Sequence, residues 1–100
     1  MTDEKGRKKH QKAKWMSRFV ASVNIFADKK QISSIVASLS KLQNIEEVYE
    51  VAGEYDIMTV VSTSTIEEFR DLLQKQIMKI KGVKSTIVSV VLKPHKGRRV

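Results

Sequence analysis

The stretch from Tyr49 to Thr63, YEVAGEYDIMTVVST, constrains the fold of this chain more than any other. Two apolar, β-branched runs, Val48 to Ala52 and Ile57 to Val61, flank the short segment Gly53-Glu54-Tyr55-Asp56. That pattern predicts an antiparallel hairpin with strands over Glu46 to Ala52 and Tyr55 to Thr63. Gly53 can take a positive φ without a Cβ penalty, so the chain can reverse there. A hairpin of this size is marginal alone, and its apolar faces must be covered by what precedes and follows it.

The flanking sequence supplies that cover. From Arg18 to Ala27, the odd positions Phe19, Ala21, Val23 and Ile25 alternate with Arg18, Val20, Ser22 and Asn24, which predicts a strand whose odd residues face a core. Asp28 is placed as a helix N-cap, and Ile32, Ile35, Val36, Leu39 and Leu42 then recur at helical spacing, with Asn44 as a stop. After the hairpin, Ser64-Thr65-Ile66-Glu67 fits a capping box in which Ser64 caps and Glu67 reaches back. Ile66, Phe69, Leu73, Ile77 and Ile80 form the stripe of a second helix, and Gly82 stands where a C-terminal glycine belongs. Ser85 to Leu92 reads as a fourth strand, ended by Pro94.

The order is β-α-β-β-α-β, in the α+β class. Right-handed crossovers interleave it into a ferredoxin-like sandwich, a four-stranded antiparallel sheet with two helices on one face. The hairpin is apolar on both sides: Tyr49 and Val51 oppose Val48 and Ala52, and Ile57 and Val61 oppose Met58 and Val60. Helices cover only one sheet face. The other is therefore expected to serve as an interface, giving a homodimer or larger homo-oligomer, a dimeric α/β-barrel-like assembly.

One hundred residues without cysteine allow one domain and neither disulfides nor thiolate metal sites. We divide the chain into a basic N-terminal tail over 1–15, expected to be disordered in isolation, a folded domain over 16–93 and a basic C-terminal tail over 94–100. Residues 1–18 carry seven Lys/Arg against two acids, and residues 93–100 carry four against none. The intervening residues hold eight basic and nine acidic side chains, so the net charge of +8 belongs to the ends. Such ends either keep a protein soluble or attract nucleic acid without regard to sequence. No apolar run is long enough to span a bilayer, and a cytoplasmic protein without membrane contact is expected.

Enzymatic chemistry is not expected. Both histidines, His10 and His95, lie in the tails, and no nucleophile elbow, phosphate loop or metal-ligand spacing is present, so no metal or cofactor is predicted. Glu46, Glu47, Glu50, Glu54 and Asp56 cluster around the hairpin, but strand alternation separates several of them, and they read as solvated strand ends. RNA recognition by the sheet is also disfavoured, because YDIMTVVST has no aromatic beyond Tyr55 on which a base could stack.

The string VYEVAGEYDIMTVV, followed after a helix by IKGVKSTIVSVVL, resembles the effector-binding domain of the Lrp/AsnC family of feast/famine transcriptional regulators, also called the RAM domain. The resemblance covers roughly residues 19–93. It rests on the Gly53-x-Tyr55-Asp56 turn, on Gly82-Val83 and on Thr86 four residues past that glycine. It implies a βαββαβ domain that dimerises through its sheet, often builds octameric rings and binds amino acids between dimers. Carried over by position, the ligand contacts are Gly53, Glu54, Tyr55 and Asp56, with Thr86 from a neighbouring subunit. A turn's amides can hold an α-carboxylate and Asp56 an α-ammonium. The ligand-free alternative is that Gly53 serves only its φ and Asp56 only the turn backbone.

The chain departs from the family in two ways. Val88 stands where a second threonine is common, which favours a more apolar effector or none. Only 18 residues precede the first strand, too few for the family's helix-turn-helix. The expected function is that of a stand-alone amino-acid or small-metabolite sensor. It would oligomerise and modulate transcription, in association with full-length Lrp/AsnC regulators. Alternatives are an oligomeric nucleic-acid-associated protein acting through its tails and an accessory subunit of a metabolic enzyme, similar to free-standing ACT domains.

Overall fold

Strict alternation along Phe19–Ala27 makes this segment the central strand, β1, in a computed structural model that describes residues 18–96. Ala21, Val23, Ile25 and Ala27 are buried, while the residues between them point to the opposite face. The tail assigned to 1–15, with Met16, Ser17 and residues 97–100, lies outside the described residues. β2 (Ile45–Glu50), β3 (Ile57–Thr63) and β4 (Val83–Val90) complete an antiparallel sheet of order β2-β3-β1-β4. Both helices lie on its odd-numbered β1 face. This is the expected ferredoxin-like α+β architecture.

The first helix is entered through a 3-10 turn, Lys29–Gln31, and continues as α1 (Ile32–Ser40). Asp28 is the cap, as expected, and its carboxylate accepts from the Lys30 N–H at 3.0 Å. Ile35 and Leu39 are completely buried from this helix. Burying each side chain contributes about 1.5–3 kcal/mol.

The second helix corrects the predicted cap by one residue. Thr65, not Ser64, caps α2 (Ile66–Leu72) by accepting from the Glu68 N–H at 3.1 Å. Glu68, not Glu67, reaches back, and it takes the Ser64 N–H at 2.7 Å. The sequence fits both frames; Thr63, fully buried and bonded through Oγ1 to the Thr65 carbonyl, selects the later one. The helix widens into a π turn over Leu73–Ile77, where the Met78 N–H donates to the Leu73 carbonyl at 2.9 Å. The extra residue per turn lets Ile77 reach the core as Phe69 and Leu72 do.

The hairpin strands are shorter than predicted. β2 stops at Glu50, so Val51 and Ala52 belong to the turn, as does Tyr55. β2 also carries an irregularity between Ile45 and Glu47. Ile57 and Val61 face the helices and Met58 and Val60 the open side, as the alternation required. β4 starts two residues earlier and ends two residues earlier than expected. Its Thr86, Val88 and Val90 lie on the helix side opposite Ile25, Val23 and Ala21.

The open face has a defined composition. One row crosses all four strands, Tyr49, Met58, Asn24 and Ile87. Its apolar members remain 46%, 37% and 45% exposed. Between them the Asn24 Oδ1 is buried without a hydrogen-bond partner. No helix among the described residues is long and apolar enough to cross a membrane.

Candidate functional site

The β2–β3 turn lies at the end of the sheet where β1 finishes, α1 begins and β4 starts. Three hydrogen bonds fix its base: Val51 N–H to the Asp56 carbonyl at 3.0 Å, Asp56 N–H to the Ile25 carbonyl at 3.0 Å, and Ala27 N–H to Asp56 Oδ2 at 2.8 Å. Asp56 therefore ties the turn to the last residues of β1. Its second oxygen, Oδ1, faces the ammonium of the largely exposed Lys29 at 3.4 Å.

These contacts hold the Asp56 carboxyl below its ordinary range. The Ala27 N–H is the main cause, partial burial acts in opposition, and Lys29 and Lys84 add attraction. Lys84 comes within range because β4 bulges there: Ala27 pairs with Val83 and Phe26 with Ser85, leaving Lys84 as the extra residue. A carboxyl lowered on folding contributes stability that is present above its unfolded value near 3.8 and is lost as pH falls through the folded value. Acid titration of unfolding should therefore show a loss below about pH 3.8 that is smaller in Asp56→Asn. An identical acid limb in both proteins would remove Asp56 from this account.

Above that base the turn is open. Gly53 has φ +149°, and a Cβ there would meet nothing within 4 Å. Ala52, Gly53 and Glu54 are exposed. The backbone N–H groups of residues 52–55 make no hydrogen bond among the described residues. The Tyr55 ring instead turns onto Phe26, with centroids 5.2 Å apart and planes at 60°. The turn thus presents unpaired donors on a braced frame, an arrangement suited to an anionic group.

Gly53, Glu54, Tyr55 and Asp56 are brought together in this one turn. Thr86 is not beside them: it pairs with Ile25 on the far side of β1, while Ile57 pairs with Ile25 on the near side. Two strand spacings, about 10 Å, separate the two within a chain. Phe26, Lys29 and Lys84 are the contributors that the sequence reading missed. Phe26 did leave a signal, as a large apolar residue on the otherwise mixed even face of β1; the lysines left none.

The family model described as the Lrp/AsnC ligand binding domain matches residues 11–100. The chain belongs to this family. The HTH-type transcriptional regulator FL11 of Pyrococcus horikoshii is 39% identical over 64 residues, 64% of this chain and 42% of FL11. A homocitrate synthase of Saccharolobus islandicus is 36% identical over 61 residues, 61% of this chain and 13% of that protein. Among solved structures, AsnC of E. coli superposes with a TM-score of 0.79 at 24% identity, covering 90% of this chain and 60% of AsnC. A feast or famine regulatory protein, Rv3291c from M. tuberculosis complexed with L-methionine, superposes with a TM-score of 0.68 at 26% identity, covering 82% of this chain and 55% of that one. This Lrp/AsnC ligand-binding domain thus spans less than half the length of the regulator FL11. In all four relatives it corresponds to a part rather than the whole.

Proposed function

We propose that this Lrp/AsnC domain binds an amino acid or related small metabolite at Gly53, Glu54, Tyr55 and Asp56, with Thr86 contributed by a second subunit. We further propose that it self-associates through its open sheet face and modulates transcription in company with full-length family regulators. The observation that carries the reading is the turn itself, with four consecutive unbonded amides above a base fixed by Asp56. An α-carboxylate matches the amides. An α-ammonium matches Asp56 Oδ1, whose partner is the exposed Lys29. The roughly 10 Å between the turn and Thr86 of the same chain favours a ligand shared between subunits. The relative complexed with L-methionine supports an amino-acid ligand. Val88 at the neighbouring position favours an apolar one.

Linkage makes the proposal measurable. A ligand present at 100 times its dissociation constant and bound only to the folded protein adds about 2.7 kcal/mol. For a domain of this size that raises the unfolding midpoint by roughly 10 °C. The twenty amino acids, each at millimolar concentration, should include one or a few that give such a shift, accompanied by a change in light scattering. A flat response across the panel would sink the sensor reading.

A further inference from the structure

We propose that β4 is a pairing edge, which adds β4 of a second copy of this chain, antiparallel and centred on Val88, so that two four-stranded sheets become one. The two edges of the sheet are guarded differently. β2, at one edge, is six residues long, carries Glu46, Glu47 and Glu50, and has an irregularity near its start. Charge, shortness and irregularity are what keep an edge strand from pairing with another chain. β4, at the other edge, has only Lys84, which the bulge sets aside at its beginning. From Ser85 to Leu92 the sequence STIVSVVL contains no charge, no proline and no glycine. Its register with β1 is regular from Ser85 to Val90.

The register shows which backbone groups this edge offers. The Val91 N–H donates to the Val20 carbonyl at 2.9 Å, which makes Val20 and Val91 a hydrogen-bonded pair of the antiparallel ladder. Alternate pairs repeat the pattern, so Ser89, opposite Ser22, and Ile87, opposite Asn24, turn their N–H and carbonyl groups towards β1. The groups of Thr86, Val88 and Val90 therefore point away from the sheet, and among the described residues no strand lies beyond β4 to take them. These three positions fit a copy of themselves. With the two-fold axis at Val88, Val88 pairs with Val88 of the second copy and Thr86 with Val90 of the second copy, closing about six hydrogen bonds.

Side chains match in that register as well. On the helix side, Thr86 meets Val90 of the second copy, which covers a valine that is 46% exposed in the single chain. On the open side, Ile87 meets Ser89 of the second copy, and Ser85 meets Val91 of the second copy. Lys84 falls opposite Leu92 of the second copy, so no like charges face each other. Pairing with β2 of another copy would instead set three glutamates against this uncharged strand, and such a head-to-tail contact would repeat without closing. Pairing of β4 with β4 closes on itself. It also leaves the open sheet face untouched, so it is a contact separate from the self-association proposed above.

Cysteine cross-linking of the full chain tests this, because the chain has no cysteine of its own. In the proposed register the two Val88 Cα atoms are about 5.5 Å apart, within disulfide range. The two Val90 Cα atoms are about 14 Å apart and cannot be bridged. Yet Val90 is the more exposed residue, so random collision would cross-link it first. Under mild oxidation at micromolar concentration, Val88→Cys should therefore form a reducible dimer at least about tenfold faster than Val90→Cys. A Thr86→Cys/Val90→Cys double variant, whose two cysteines face each other across the axis, should dimerise as readily and does not depend on altering Val88. Adding Met58→Glu to Val88→Cys puts a charge on the open face two strands from the edge, and the cross-link should persist. Unchanged melting of the reduced variants confirms an intact fold. The proposal is overturned if Val90→Cys cross-links as fast as Val88→Cys, or if Met58→Glu abolishes the cross-link. An edge that takes a strand from a different protein would leave purified Val88→Cys and the double variant without a cross-link, and that result overturns it as well.

Discussion

Gly82→Ala is expected to destabilise the domain by about 3 kcal/mol, lowering the unfolding midpoint by more than 10 °C. Two costs coincide at this residue. Its φ of +99° is one that side-chain-bearing residues rarely adopt. An added Cβ would also stand 2.5 Å from the Gln31 Cβ and 2.8 Å from its Cγ. Gln31 cannot simply swing away, because its Cβ is fixed by the backbone of the 3-10 turn that leads into α1. That turn is in turn tied to Gly82, whose carbonyl accepts the Asp28 N–H at 2.8 Å. Moving either partner opens the junction of β1, α1 and β4. Gly53→Ala is the control, because its Cβ would enter open space and only the φ cost remains, about 1–2 kcal/mol. Urea unfolding of both variants checks the comparison. Equal losses at the two glycines would show that close packing at Gly82 does not matter.

Ile87→Glu should convert a self-associated protein into monomers while leaving the fold intact. Ile87 lies in the row Tyr49, Met58, Asn24 and Ile87 on the sheet face that no helix covers. The side chain is 45% exposed in the single chain, so a carboxylate there remains solvated in a monomer. In a two-fold sheet-to-sheet dimer the substitution enters the interface twice, and each charge loses water without gaining a partner. A cost of about 3 kcal/mol raises the dissociation constant roughly a hundredfold. Asn24 gives the same face a second reason to be covered: a donor from a facing copy would satisfy its buried Oδ1, which has no partner within the chain. Sedimentation velocity at micromolar concentration reads the outcome. A parent chain that sediments as a monomer would end the self-association reading. A dimer unaffected by the substitution would move the interface elsewhere.

These two residues illustrate how differently features could be read in advance. Gly82 was legible as a positive-φ glycine but not in its place, because the helix ends at Ile77 with Met78 as its cap and Gly82 lies in the turn that leads into β4. Its contact with Gln31 was not, because 51 positions of sequence separate the two and only the packing of α1 against the start of β4 brings them together. Likewise, alternation put Met58 on one face of β3 and Ile57 on the other, but it could not say which face the helices would take. The capping box failed by a single residue for a similar reason: Ser64-x-x-Glu67 and Thr65-x-x-Glu68 are equally good locally, and burial of Thr63 decides between them.

The sequence by itself determined the element order, the core residues of β1 and α1, the turn at Gly53 to Asp56 and the concentration of charge at the two ends; of the second helix's predicted stripe it placed Phe69 and Ile77 correctly, but Ile66 is exposed and Leu72, which it missed, is buried. Each depends on periodicity, on turn chemistry or on composition, which act over a few neighbouring residues. Tertiary structure alone decided that Asp56 braces its turn against Ala27 and Lys29, and that Thr86 lies across β1 from that turn. These are matters of strand register, and register is set by how distant segments pair once a common core is buried.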